Sequence, residues 1–409
     1  MKILWVKAGG LVPPDFGGRI RSYHILRELA QAHEVTLFTF YAEQPHDPHS
    51  DLNKIFKRVE LRPLRLPAPG SVGVAPLYAR CFFSLQPYTM AKFCKPQVAR
   101  DVRRLLANEK YDVIVCDFAV AGGVIPWDFP CPKVLFTHNV EAQIWKRHVD
   151  VARNPVWKLV CWREYQTMSR AERSYLRLAD HVLTVSEADR EFFAKLVDPG
   201  KITVVPTGVD LTYFRPASGM ENPRSLVFTG AMDWLANIDG VVYFAEEVLP
   251  LIRRQIPDVI FSVVGRMPSP RVRDLAQRFP GVRVTGRVDD VRPYISKAAV
   301  YVIPLRVGGG TRLKVFEAMA MGKAIVSTSI GAEGLGLEDG VDIMLADNPA
   351  QFAGAVIELL CNEESRRKMA AAAIERVREY DWSKIAERFG QVLSDLIESG
   401  QRHSSPVPV

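Results

Sequence analysis

Three consecutive glycines, Gly308, Gly309 and Gly310, stand in the stretch PLRVGGGTRLKVFEAMAMGKAIVST, followed by Thr311, Arg312, Lys314 and Glu317. So much backbone entropy is seldom given up at the mouth of a helix without a use for it. The run AVYVIPL before the glycines reads as a strand, TRLKVFEAMAM as a helix, and Gly322 as its stop. Free backbone N–H groups at a helix start bind anions, and glycines let the anion come close. Arg312 and Lys314 put two cations in the first turn, where the helix dipole disfavours them, so a negative partner such as a diphosphate is expected. Glu317 lies one turn further on, where it can pair with Lys314 or accept hydrogen bonds from ligand hydroxyls. Leu313, Phe316 and Ala320 share a face that should pack on the sheet. The alternative for the same residues is a solvated, charged turn. The position after a strand and the cations at the wrong helix end favour the anion site.

Other residues with chemical potential are fewer. Gly17 and Gly18, in PPDFGGRIRSYHILRELA, form a glycine turn after the first strand. His138 ends the strand of LFTHNVE, where strand-end side chains meet ligands in open α/β sheets. The pair His46 and His49 in HDPH has metal-like spacing but sits in a polar, proline-containing loop, so no metal site is expected there. No D-x-D occurs to suggest a metal-bridged diphosphate. The dinucleotide fingerprint G-x-G-x-x-G is absent, as is the serine-hydrolase G-x-S-x-G.

The elements that must position these residues alternate regularly. KILWV, EVTLFTF, YDVIVCDF, KVLFTHN and HVLTVSE are short apolar strands separated by helical patterns, among them a charged helix from about Trp157 to Leu178. Such alternation builds parallel sheets. Pro206, Gly208, Pro216, Gly219 and Pro223 then punctuate a linker, and the alternation starts afresh with SLVFTG, VIFSVVG, VRVTG, AVYVIPL and AIVST. The expected organisation is an N-terminal domain over 1–205, a linker over 206–224 and a second domain over 225–380. A C-terminal helix over 381–400, packing back on the first domain, and a disordered tail over 401–409 complete it.

The 409-residue length, with 48% hydrophobic and 24% charged residues, supplies core for two or more globular domains and excludes a disordered or fibrous chain. Six scattered cysteines without a C-x-x-C argue against a disulfide framework or zinc site and fit a reducing compartment. Four apolar residues before Lys7 are too few for a secretion signal, and no run reaches membrane-span length, so a cytoplasmic protein is expected. The net charge of +7 lies entirely in residues 1–210, with 29 Lys/Arg against 22 Asp/Glu. That asymmetry, with the aromatic and basic stretch Tyr78–Pro96 (Arg80, Lys92, Lys95) and the helix bearing Trp162, Arg163, Arg170, Arg173 and Arg177, fits peripheral contact with an anionic lipid carrier or membrane; the alternative is core aromatics beside solvated charges on a solubilising surface. A nucleic-acid partner is not expected, because no recognisable module accompanies the charge.

The segments VVPTGVD, LVFTG, VTGRVDDVRPYISKA, VFEAMAMGKAIV and STSIGAEGL together resemble the retaining glycosyltransferases of family 4 over most of residues 180–360. The resemblance implies the GT-B fold: two Rossmann-like, doubly wound parallel-sheet domains facing across a cleft, the second binding a nucleotide-diphosphate sugar. It carries ribose binding onto Glu317, diphosphate approach onto Gly17 and Gly18, and a position beside the donor sugar and reacting centre onto His138. Gly230 and the loop Gly308–Thr311 complete the implied donor site, and the loop at Arg287 and Val288 is where the base is expected, though backbone atoms that read a base leave no mark in a sequence. Two departures stand out. The family's first Glu falls on Gly309, and the Arg and Lys expected after LVFTG are missing from VFTGAMDWLANIDG, so Arg312 and Lys314 are expected to supply that charge. The implied activity is metal-independent transfer of a sugar to a glycan, lipid-linked or small-molecule acceptor, with retention and with no cofactor beyond the nucleotide-sugar co-substrate. The subfamily features look most like bacterial polysaccharide and cell-envelope enzymes, working in the cytoplasm or peripherally on the inner face of the membrane. The alternatives are a nucleotide-sugar epimerase of the same fold and a non-catalytic nucleotide-sugar-binding protein.

Overall fold

Short β-branched runs form two parallel sheets. The computed structural model describes residues 1–41, 50–63, 78, 81, 85–152, 154–217, 221–307 and 312–404. One unit comprises Met1–Pro206 and the C-terminal segment from Trp382, the other Thr207–Asp381. In the first, strands β1 (Lys2–Lys7), β2 (Glu34–Tyr41), β3 (Arg58–Pro63), β4 (Val113–Asp117), β5 (Lys133–Phe136), β6 (His181–Thr184) and β7 (Ile202–Val204) pair in the order β3-β2-β1-β4-β5-β6-β7. In the second, β8 (Asn222–Thr229), β9 (Ile260–Val264), β10 (Val282–Val284), β11 (Ala298–Ile303), β12 (Ala324–Ser327) and β13 (Met344–Leu345) pair as β10-β9-β8-β11-β12-β13. Central strands such as β4, β11 and β12 are buried at every residue, as a sheet covered on both faces requires.

In both sheets the strand order reverses beside the first strand, between β1 and β4 and between β8 and β11. The diverging connections leave a crevice at the carboxyl ends of these strands, the usual ligand position in doubly wound sheets.

Helix α1 (Gly17–Ala32) follows β1 and buries Arg21, Ser22, Ile25, Leu26 and Leu29. The C-terminal helix, which begins at Trp382, packs on this unit: the Trp382 ring stacks on His24 with centroids 5.2 Å apart, and Phe389 lies 5.3 Å from Trp5. That helix runs to Ser404, so the backbone of 401–404 is helical where a disordered tail is expected. The expected linker also differs. Strand β8 starts at Asn222, and Val209 is buried with its N–H donating to Tyr380 O at 2.8 Å. Leu211 and Phe214 pack against the same core. Gly208 and Pro216 therefore lie in a coil fixed to the second unit, and Pro223 is already within β8. Among the described residues no helix is long and apolar enough to cross a membrane.

Candidate active site

In the second unit the chemistry gathers where β8 and β11 diverge. Helix α2 (Leu313–Ala320) starts with Arg312 as its N-cap residue and ends at Gly322, whose φ of 65° is the left-handed turn that stops it. Phe316 and Ala320 are buried as expected, with Val315, Ala318 and Met319 beside them, while Leu313 is only half-buried. The Lys314 ammonium crosses to the end of β8: Nζ donates to Asn237 Oδ1 at 2.9 Å and sits 4.0 Å from the centre of the Phe228 ring. A Cβ added at Gly230 would lie 2.9 Å from that Nζ and 2.8 Å from Asn237 Nδ2, so Gly230 is a wall that must stay bare. Gly265 is tighter still, since a Cβ there would fall 1.7 Å from Gly230 O.

Arg312 turns the other way. It is buried, and Nη2 donates to Ile330 O at 3.0 Å, beside the turn after β12. Burial, with Arg312 nearby, pushes the Lys314 ammonium down to about 7 against the pull of Glu317. Burial likewise pushes the Glu317 carboxyl up to about 7, with Lys314 opposing. Tyr301 is fully buried beneath the site; its hydroxyl is bonded to Thr229 Oγ1, and burial raises its pKa well above the ordinary range. A cation and a carboxylate side by side at a switch point have the chemistry to receive an anion and hydroxyl groups.

The first unit holds a buried polar cluster at its own switch point. Asp117 ends β4 and accepts from Trp5 Nε1 at 2.9 Å, Lys7 Nζ at 3.2 Å and His138 Nε2 at 2.7 Å. Lys7 also donates to Ser22 Oγ at 2.9 Å, and Arg21 Nη1 to His138 Nδ1 at 2.6 Å. A guanidinium only donates, so Nδ1 must be the acceptor and the His138 proton sits on Nε2, facing Asp117. Burial pushes the His138 pKa down to about 3, and the neighbouring Arg21 and Lys7 add to this against Asp117. Burial works against the Asp117 carboxylate, but Lys7 and His138 outweigh it and hold it below the usual range. Burial lowers Arg21 to about 10, so it remains a cation at neutral pH.

The His138 ring stacks on Phe118 at 3.8 Å, with 5° between the planes. Phe118 has a φ of 71°, a strained conformation for a bulky residue that its packing enforces. A Cβ at Gly18 would lie 2.6 Å from Phe118 Cζ. The missing side chain at Gly18 thus admits the ring that supports His138, a packing reason distinct from the diphosphate approach expected of it. Gly17 is the first residue of α1 and is half-buried.

Arg287 is exposed and Val288 half-buried in the turn after β10, beyond Gly286 at φ 72°. Gly308, Gly309, Gly310 and Thr311 lie outside the described residues, as do His46 and His49. All six cysteines are free.

Comparison with known proteins is decisive at the level of family. Residues 17–213 match the Glycosyltransferase Family 4 domain, and residues 223–362 match the glycosyl transferases group 1 domain. The chain belongs to these glycosyltransferases. An uncharacterized 44.6 kDa protein in the cps region of Klebsiella pneumoniae is 22% identical over 94% of this chain and 97% of its own. The phosphatidyl-myo-inositol mannosyltransferase of Mycobacterium tuberculosis is 30% identical over 48% of this chain, spanning 55% of the mannosyltransferase. Among solved structures, a sucrose-phosphate synthase from Thermosynechococcus elongatus superposes with a TM-score of 0.71 at 19% identity, covering 97% of this chain and 99% of its own. Anabaena HepE, in complex with UDP and glucose, gives 0.67 at 17% identity, covering 96% and 99%. These likenesses establish the GT-B fold of this glycosyltransferase.

Sequence reasoning missed the partners of His138 in the glycosyltransferase. Asp117 ends an otherwise apolar, fully buried strand, and Lys7 ends one that is apolar and buried after its first residue, Lys2; a charge at such a strand end beside a switch point is the signal that would have found them. Asn237, which holds Lys314, stands in the stretch FTGAMDWLANID, but nothing in the sequence tied it to Lys314. Another missed group is Glu172, buried on helix α3 (Pro155–Leu178). It accepts from Glu141 N at 2.8 Å and Ala142 N at 3.3 Å, capping helix α4 (Glu141–Val151), whose N-cap residue Val140 offers no side-chain acceptor. Burial pushes the Glu172 carboxyl up to about 8, so at neutral pH it is mostly protonated. Glu172→Ala is expected to lower stability by about 1–2 kcal/mol in urea denaturation, and Glu172→Gln, close to it in charge, by clearly less.

Proposed function

We propose that this glycosyltransferase takes a sugar from a nucleoside-diphosphate donor and transfers it to an acceptor hydroxyl with retention of anomeric configuration. The observation that carries the reading is the meeting of Lys314, Gly230 and Glu317 at the β8/β11 switch point. Lys314 brings a cation from α2 to the end of β8, where VFTGAMDWLANIDG lacks one of its own. In this reading Lys314 and Arg312 hold the diphosphate, Gly230 gives it room, and Glu317 accepts from the ribose hydroxyls. Arg287 and Val288 are assigned to the base, and the sugar to Gly308–Thr311, which lie outside the described residues. HepE, of the same fold, was crystallised with UDP and glucose, which supports a nucleotide-sugar donor here.

The reaction needs no protein nucleophile. The acceptor oxygen attacks the anomeric carbon on the face occupied by the leaving group. The bond to the diphosphate oxygen breaks with its electron pair, and a phosphate oxygen takes the acceptor's proton. The protein positions the partners and stabilises the charge gathering on the leaving diphosphate. His138, neutral, buried and bonded through both ring nitrogens, enters as a positioning residue that fixes the strand ends of the first unit. The names of the relatives, one placed in a cps region and one acting on a phosphatidyl-myo-inositol, support an acceptor of the cell envelope.

The test is incubation with UDP-, GDP- and ADP-sugars. Slow release of nucleoside diphosphate from one of them, with a retained anomer once an acceptor is found, is the expected result. Isomerised sugar would indicate an epimerase, and binding without turnover a non-catalytic protein. Metal-independent turnover belongs to the same reading: activity is expected to survive EDTA, and loss restored by Mg²⁺ would overturn that part.

A further inference from the structure

Helix α3 sorts its charges by sign. Its two acids are turned inward: Glu172 caps α4, and Glu164, also buried, accepts from Tyr88 N at 2.8 Å and pairs with Arg163 at 2.6 Å. Arg163, expected among the outward cations, instead faces in and donates to the carbonyls of Cys81 and Gln86. What remains outside is cationic. Arg170, Arg173 and Arg177 are exposed, and among the described residues none has a carboxylate within ion-pair distance. They line one open groove of about 460 Å³ with Gln166, Ser169 and Ser174.

The same face becomes apolar towards the start of the helix. Leu159 is 62% and Trp162 50% exposed, and Val156 and Trp157 in the first turn are 70% and 50% exposed. Positions 159, 162, 166, 170, 173 and 177 recur at steps of three and four, so they form a single stripe. At the α-helical rise the stripe is about 27 Å long. On α4, packed alongside, Lys146 and Arg147 are exposed and also without a carboxylate partner among the described residues. Exposed apolar area of this kind, rimmed by polar groups, marks an interaction site.

We infer that this face of α3 docks the protein on an anionic lipid bilayer, with Leu159, Trp162 and the first turn in the interfacial layer and Arg170, Arg173 and Arg177 against lipid phosphates. Charge complementarity selects this occupant: the stripe is cationic without an acid along its length, and tryptophan beside arginine is the side-chain pairing of a headgroup boundary. Of the basic residues in the Tyr78–Pro96 stretch, Lys92 lies over the Tyr88 ring, Lys95 is exposed and Arg80 falls outside the described residues. The inference is independent of the donor site.

The full chain should float with vesicles of phosphatidylcholine plus phosphatidylglycerol at low salt and not with phosphatidylcholine alone, and high salt should release it. Reversing the three arginines to Glu should weaken vesicle partition by roughly a hundredfold or more, given the attraction of each basic residue for an anionic surface. Leu159→Ser with Trp162→Ser should also abolish flotation while leaving the secondary structure, checked by circular dichroism, and donor hydrolysis unchanged. Flotation by both folded variants equal to the parent would overturn the inference. So would binding to heparin without binding to vesicles, or a change in oligomeric state on mutation, which would make the face a polyanion site or a protein contact.

Discussion

Lys314→Arg is expected to abolish the alkaline limb of donor binding, while Lys314→Ala lowers kcat/KM about a hundredfold or more. Burial pushes the Lys314 ammonium down and the Glu317 carboxyl up, each to about 7. In the proposed role, as pH rises through that point Lys314 loses the proton that would attract the diphosphate, so KM for the donor should climb. As pH falls through it Glu317 becomes protonated and accepts less well from ribose, so KM should climb on that side too. The profile is therefore a bell, and its two limbs belong to the coupled pair. Arginine stays charged throughout and removes only the alkaline limb, whereas Glu317→Gln removes only the acid limb. Steady-state kinetics of donor hydrolysis across pH, on the three proteins, decides it. An alkaline limb that persists in Lys314→Arg would show that another group binds the phosphates.

Asp117→Ala should be the most destabilising single change in the first unit, by about 3–5 kcal/mol, because it leaves the Lys7 ammonium buried and unneutralised. A melting temperature lower by roughly 10 °C or more follows for a unit of this size. Asp117→Asn keeps the shape but loses the charge, and should fall between the two. The same cluster sets the acid limit of the fold. The Asp117 carboxylate, held below its ordinary range, stabilises fully above about pH 4 and less as acid protonates it. His138 adds to this in the same direction. Unfolded, it takes a proton near pH 6.5, whereas folded it resists protonation down to about 3, so stability falls as pH drops through that window. Thermal melts between pH 7 and 4 should show the decline, and His138→Phe should flatten its upper part.

The alternation of apolar strands and amphipathic helices revealed both sheets, since burial on two faces forces continuous apolar runs such as VIVCD and AAVYVI. Helix α2 and its stop at Gly322 were equally readable, because their signals are local. Contacts between distant segments were not. Asn237 and Lys314 stand 77 positions apart and meet only because β8 and β11 are neighbours. Arg163 and Glu172 look like surface charges in a helical pattern, yet they complete the backbone of other segments. Gly18 illustrates the limit differently: the sequence shows that a side chain is unwelcome there, while only the structure shows that the occupant is Phe118.

The contact between Gly265 and Gly230 bears on how this enzyme can diversify. With 1.7 Å between a Cβ at 265 and the carbonyl oxygen of Gly230, no other amino acid fits without prising the two loops apart. The wall beside Lys314 is thus written in main chain, and point substitution has no vocabulary for revising it. Change at this site is therefore expected in the side chains around that wall, such as Asn237 and those of α2, or in loop length, and not at the two glycines.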